Sequence, residues 1–290
     1  MNISAPPPEE YATWRSSLLQ HIASSEQHRF FWLVDSCAHD SLPGLIWQLD
    51  AQPDAWPLYM NTYLEESVNS GPFMVPYRHE SGFTRWMLEE LRLTPLGCLI
   101  EVEAVSVHAA FEHLQNCTEC LDAENKRSIF RFYDPRILYG ISTYQDITIK
   151  LRILGPVLRL FAWEPGRCVP VSLGNGLDSG KRNAGLESYD AAFFEHVWEE
   201  TAIHSIIGTL GRESGMTLRA MPLPEAYSLV GQVAHILSLY GYNDRRSLAY
   251  GSSVTARRGL EIWERPDLRD GLLGRTVNMP LDEILNSVGL

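Results

Sequence analysis

Several groups of residues have the types and spacing for chemistry. His196, Glu200 and His204 recur every four residues, so a helix would place all three on one face, where imidazole and carboxylate suit a divalent metal. The metalloprotease pattern His-Glu-x-x-His and its reversal are absent, and an aromatic stripe accompanies that face, as it would on an ordinary solvated helix. Cys117 and Cys120 form a C-x-x-C pair, which a zinc site would have to complete with two further ligands at matching spacing. No second pair exists, and both thiols also suit the role of small buried hydrophobes. The stretch "GNGLDSGKR" (174–182) approaches a phosphate loop, but the glycine spacing is wrong and Arg182 replaces the hydroxyl that would hold magnesium. His39 and Asp40 follow an apolar run, at the carboxyl end of a predicted strand, where α/β sheets bind ligands. No constellation supplies nucleophile, base and oxyanion donor together, so no catalytic residue, cofactor or metal is expected.

The densest mixture of charge and aromatic surface is "RSIFRFYDPRIL" (127–138). Phe130 and Phe132 would point to one side of a strand, Arg131 and Tyr133 to the other. Asp134 suits a helix N-cap with Pro135 at the first helical position, and Arg131 or Arg136 can pair with the Asp134 carboxylate. This strand-to-helix corner needs no substrate. Equally open is a corner that also presents Arg131, Tyr133 or Arg136 to a partner.

The elements that would position these residues follow from periodicity. A helix is expected from Pro8 to Ser24, a buried strand at 29–37, a second strand at 56–64, and an edge or loop at 71–77, where Pro72 and Pro76 interrupt the ladder. A helix at 81–93, a strand at 97–105, a helix at 106–124, a strand at 128–134, a helix at 135–153 weakened by Gly140, and a strand at 156–165 complete an alternating pattern. Residues 171–189 are rich in Gly, Ser and Asn and read as a linker, beyond which the pattern is helical. The expected organisation is an N-terminal extension and helix (1–25), an α/β domain (26–170) with a mixed, partly parallel sheet and flanking helices, the linker (171–189), and an all-α lobe (190–290).

The chain has 290 residues and a net charge of −12, spread over both halves, which argues against nucleic acid or an anionic membrane as the main partner. Its 5 cysteines fit free thiols in a reducing cytosol. No apolar run is long enough for a membrane span, and "MNISAPPPEEY" lacks the pattern of a signal peptide.

"FRFYDPRIL" resembles the signature of the adaptor (chaperone) family of the bacterial type VI secretion system, long catalogued as a domain of unknown function. The chain is similar to that family in further places: "LVDSC" (33–37), "GPFMVPY" (71–77), Trp86, "HLQ" (113–115) and "GPVLRLFAW" (155–163), so the resemblance spans roughly residues 29–165. It implies a cytoplasmic, non-enzymatic protein. Such a protein binds a toxic effector, often through the effector's N-terminal PAAR or transmembrane-helix region, and helps load it onto the VgrG spike. It also implies no catalytic residues. The motif Phe130, Arg131, Phe132, Tyr133, Asp134, Pro135 and Arg136 is expected as a structural corner with possible partner contact, and Asp35, Phe73, Tyr77 and Trp86 as partner-binding candidates. Eight Trp and twelve Tyr among many arginines suit an interface. A monomer is expected when the chain is free. Two other functions stay open: a hydrolase acting at His39–Asp40 or at the His196–His204 face, and an immunity protein that neutralises a toxin.

Overall fold

The computed structural model describes residues 9–39, 41–50, 54–122, 124–174, 187–213, 221–242, 244–274 and 279–290. The elements, in order, are α1 (Glu9–Ser24), β1 (His28–Asp35), α2 (Leu42–Leu49), β2 (Trp56–Pro57), β3 (Pro72–Pro76), α3 (Gly82–Glu90), β4 (Gly97–Glu103), α4 (Val107–Cys117), β5 (Glu119–Leu121), β6 (Arg127–Ile129), α5 (Pro135–Thr143), α6 (Ile147–Leu154), β7 (Val157–Glu164), β8 (Val169–Gly174), β9 (Glu187–Ser188), α7 (Ala191–Glu213), α8 (Leu223–Leu239), α9 (Arg245–Arg258), α10 (Pro266–Leu273) and α11 (Leu281–Ser287). Two compact units divide the chain, Met1–Glu200 and Thr201–Leu290, so the first turns of α7 belong with the sheet.

The N-terminal unit is an α/β domain built on a six-stranded sheet in the order β2-β3-β1-β4-β7-β8. β1 is apolar from Phe30 to Val34, where both its faces are covered. Phe31 and Leu33 point into a core shared with Leu114 of α4, Leu138 and Ile141 of α5, Ile153 of α6 and Phe193 of α7. Phe30, Trp32 and Val34 point the other way, against Tyr11 and Leu18 of α1, Ile46 of α2 and Phe83 and Met87 of α3. Burying a side chain of this size contributes about 1.5–3 kcal/mol, so the two-sided stacking on β1 is the main reason the layers cohere.

All pairs within the large sheet are antiparallel; the parallel pairing expected from strand–helix alternation is confined to β5 with β9 in a small sheet ordered β6-β5-β9. The alternation misleads because β3 and β4, joined through α3, run the same way but lie on opposite sides of β1. Gly97 starts β4 at a φ of +146°, where a Cβ would stand 2.1 Å from the Leu33 carbonyl oxygen, so only glycine fits that junction.

Several boundaries differ from the periodic reading. The strand expected at 56–64 is reduced to Trp56–Pro57, and the segment with Pro72 and Pro76 is β3, paired along β1 with its prolines at the two ends. The helix expected to run through residue 124 stops at Cys117, because β5 begins two residues later. The helix expected over 135–153 is two helices. Asp146 accepts a hydrogen bond from the Thr148 N–H (2.8 Å) and so starts α6 afresh. Gly140, read as a weak point, is where α7 approaches: a Cβ there would lie 3.2 Å from the Val197 Cα. Of the expected linker, Val171 to Gly174 belong to β8, Glu187 and Ser188 form β9, and residues 175–186 lie outside the described residues.

The C-terminal unit is helical, as expected. Its core joins Val233 and Leu237 of α8, Val254 of α9, Trp263 of the short turn before α10, Leu268 and Leu272 of α10, and Ile284 and Leu285 of α11. Asp244 caps α9 by accepting the Ser247 N–H at 2.9 Å, and the Trp263 indole N–H donates to Thr255 Oγ1 at 2.8 Å. No helix among the described residues is long and apolar enough to cross a membrane.

Candidate functional site

The "FRFYDPR" stretch forms a corner at the carboxyl ends of β1 and β7. β6 ends at Ile129, and a turn leads into α5, capped by Asp134 with Pro135 at its first position, as the residues dictate. Asp134 Oδ1 accepts the Arg136 backbone N–H at 3.0 Å and the Arg136 Nε–H at 2.7 Å. A second guanidinium N–H of Arg136 donates to Asp134 Oδ2. Arg131 is 4.0 Å from the same carboxylate and donates to Asp35 at the end of β1. Asp35 also accepts the Cys37 N–H at 3.0 Å.

The period-two expectation for this stretch does not hold. Phe130, Phe132 and Tyr133 are all buried, so Tyr133 does not accompany Arg131 on an outer side. A turn, not a continued strand, spans 130–134, which lets Phe130, Phe132 and Tyr133 all face inward around the partly exposed Arg131. Tyr133 hydrogen-bonds the Tyr59 hydroxyl, and burial, with Asp35 and Tyr59 adding to it, pushes its phenol well above the ordinary range.

The row of charges continues past the motif. Arg136 is near enough to Glu164, the last residue of β7, to favour its ionised form. Glu164 is fully buried and accepts the Gly166 N–H (3.1 Å) and the Arg167 N–H (2.6 Å). Arg167 donates to the Glu200 carbonyl (2.7 Å) and to its carboxylate (2.9 Å), and its guanidinium lies 4.3 Å from the centre of the Tyr139 ring. Asp35, Arg131, Asp134, Arg136, Glu164, Arg167 and Glu200 thus alternate in sign and tie β1, α5, the β7–β8 turn and α7 together. Burial raises the pKa of Asp35 against the pull of Arg131, and raises that of Glu164 against its backbone donors. Burial would lower the pKa of Arg131, but Asp35 outweighs it and holds the guanidinium charged.

Glu164, Arg167, Tyr59 and Tyr139 were not singled out by motif. The legible signal for the first two is "EPGR": an acid followed by a Pro-Gly turn can take the turn's N–H groups, and the arginine follows at once.

The partner-binding candidates are divided by burial. Asp35 is 0% exposed and Phe73 only 5%, so neither is available to a partner: Asp35 is held by Arg131, and Phe73 is core on the α1–α3 side of the sheet. Tyr77 and Trp86 are half-buried; Tyr77 packs against Trp32 and Trp86 against Phe83 and His39. Within the motif, the Arg131 side chain retains 35% exposure and Arg136 18%.

The remaining chemical candidates are dispersed. Cys117 ends α4, Cys120 lies in β5, and both are buried; burial, aided by Asp122 and Glu119, pushes the Cys120 thiol up to about 11. His196 lies 3.0 Å from Thr143 Oγ1 and 3.1 Å from the Gly140 carbonyl, while Glu200 is taken by Arg167. The side chain of His204, Asp40 and most of the glycine-rich stretch lie outside the described residues. His39 accepts the Ser41 N–H at 3.3 Å. Among the described residues no three His, Cys, Asp or Glu side chains are grouped to hold a metal ion.

Fold and site together define a three-layer α/β/α domain closed by a buried ionic corner. Residues 30–146 match the family described as a domain of unknown function, DUF4123, a span that covers less than half of the chain and runs from within β1 through α5, with Asp35, Arg131, Asp134 and Arg136 inside it and Glu164, Arg167 and Glu200 beyond it. "GPVLRLFAW" (155–163) lies beyond that match. No curated protein and no solved structure matches the chain.

Proposed function

We propose that this chain is a non-enzymatic adaptor that binds a type VI secretion effector in the bacterial cytoplasm and promotes its loading onto the VgrG spike. The observation that carries the reading is the family match over residues 30–146, whose C-terminal part contains "FRFYDPRIL". The corner supports it physically. Its carboxylates and guanidiniums bond to one another and to backbone N–H groups, which suits a rigid frame that holds a binding surface in place.

The test is co-expression of the full chain with the effector and spike proteins encoded beside it, followed by affinity capture. Both should be recovered, the effector through its N-terminal PAAR or transmembrane-helix region. Recovery of neither overturns the reading, and inhibition of a toxin's catalytic domain would replace it with an immunity function.

A further inference from the structure

We propose that the outer edge of β6 docks an extended segment of a partner protein in which apolar and acidic residues alternate. This deepens, and rests on, the reading of the chain as a protein-binding adaptor.

Among the described residues, the strand pairing leaves that edge open. β5 and β6 are antiparallel, with Glu119 opposite Ile129, Cys120 opposite Ser128 and Leu121 opposite Arg127. The Phe130 N–H donates to the Thr118 carbonyl (2.8 Å), and the Asp122 N–H to the Lys126 carbonyl (2.9 Å). Opposed pairs alternate between hydrogen-bonded and not, so Arg127 and Ile129 turn their N–H and C=O groups away from β5. β6 is the terminal strand of its sheet, so these groups are a template for strand addition.

Apolar anchors stand beside the template. Ile129 is 54% exposed, and Tyr63 and Met60, from the loop after β2, are 70% and 46% exposed. The Tyr63 ring lies 4.6 Å from the Arg127 guanidinium, which is itself fixed by an ion pair to Glu119. Tyr, Met and Arg are the residue types that concentrate binding energy at interfaces.

Charge selects the occupant. Residues 126–131, "KRSIFR", hold three cations and no acid in a chain of net charge −12. The acids that pair with them, Glu124, Glu119 and Asp35, stand in the hairpin, on β5 and at the end of β1. An incoming strand meets the side chains of β6 first, so acidic residues on it are favoured. A second copy of β6 would set like charges against each other and is disfavoured for the same reason.

The probe is a display library of random twelve-residue peptides selected on the full chain, with the enriched peptides measured by fluorescence anisotropy. Enriched sequences should alternate apolar residues with at least one acid. Ile129→Pro removes an outward N–H without breaking a bond to β5, a position where edge strands tolerate proline, and should weaken these peptides about tenfold. Lys126→Glu, at a 75% exposed side chain, leaves the fold alone and should shift preference from acidic to basic peptides. No enrichment, enrichment of helix-spaced apolar residues, or indifference to both substitutions overturns the proposal. So does a dimer of the free chain that Ile129→Pro dissolves, since it would assign the edge to a second copy. If a captured effector binds both variants as well as the parent, the edge is wrong while the adaptor reading stands; if the peptides behave as expected but no effector or spike is captured, the reverse holds.

Discussion

Replacing Asp134 by alanine removes two things at once. The first is the cap of α5, in which the carboxylate accepts the Arg136 N–H at 3.0 Å; losing such a cap costs about 1 kcal/mol. The second is the charge-assisted pairing with the Arg136 guanidinium, in a site where Asp134 is 2% exposed; losing it costs about 2 kcal/mol. The total of about 3 kcal/mol should lower the melting temperature of a unit of this size by about 9 °C, at about 3 °C for each kcal/mol. Asp134→Asn keeps an oxygen for the backbone N–H and loses only the charge, so it should fall by about 6 °C on the same scale. Calorimetry of the full chain reads this directly, since only the transition of the N-terminal unit should move. Equal melts for the three proteins would refute the reasoning, and an asparagine variant as damaged as the alanine variant would refute the separation of cap from charge.

Four further outcomes follow from named contacts. Burial raises the folded pKa of Glu164 above its ordinary 4.5, so its contribution to stability is complete below that pH and is lost as the pH rises through the raised value. Unfolding free energies of the parent and Glu164→Gln should therefore diverge in favour of glutamine as the pH rises from 4.5 through the raised value, and a pH-independent difference would count against it. Asp244 has the opposite sign: burial raises its pKa, but the Ser247 bonds outweigh burial and lower it, so its stabilisation is present above pH 3.8 and lost as the pH falls through the lowered value. Asp244→Ala should cost about 1 kcal/mol at neutral pH in denaturant unfolding of the C-terminal unit, and less in acid. Gly97→Ala should cost at least about 3 kcal/mol or abolish soluble expression, since its backbone conformation is reserved for glycine and its Cβ would meet the Leu33 carbonyl. Thiol labelling of the native chain at pH 7, read by mass spectrometry, should modify the exposed Cys37 well before the buried Cys98, Cys117 and Cys120.

The sequence was most readable where one rule acted alone. Asp134 and Asp146 are helix caps because each side chain takes an N–H two residues on, and the Asp134-Pro135 start of α5 follows from residue type. The apolar run of β1 marked a strand buried on both faces. Strand direction was less readable, because pairing is decided by which strands become neighbours, and the insertion of β1 between β3 and β4 leaves no local trace. The same applies to the corner. Its acid, cap and arginine were visible, but the partner of Arg131 is Asp35, 96 residues away, and the partner of Arg167 is Glu200, 33 residues away. Asp35 and Phe73 were expected to meet a partner from the resemblance alone; their burial depends on Arg131 and on helices contributed from elsewhere in the chain.

The proposal that the chain works by holding another protein is tested most directly by mixing the purified chain with a purified candidate effector from a neighbouring gene and measuring their association by sedimentation velocity. The account predicts a stoichiometric complex that takes up the spike protein as a third component. Two species sedimenting independently at micromolar concentration, from a chain that instead turns over a small-molecule substrate, would contradict it.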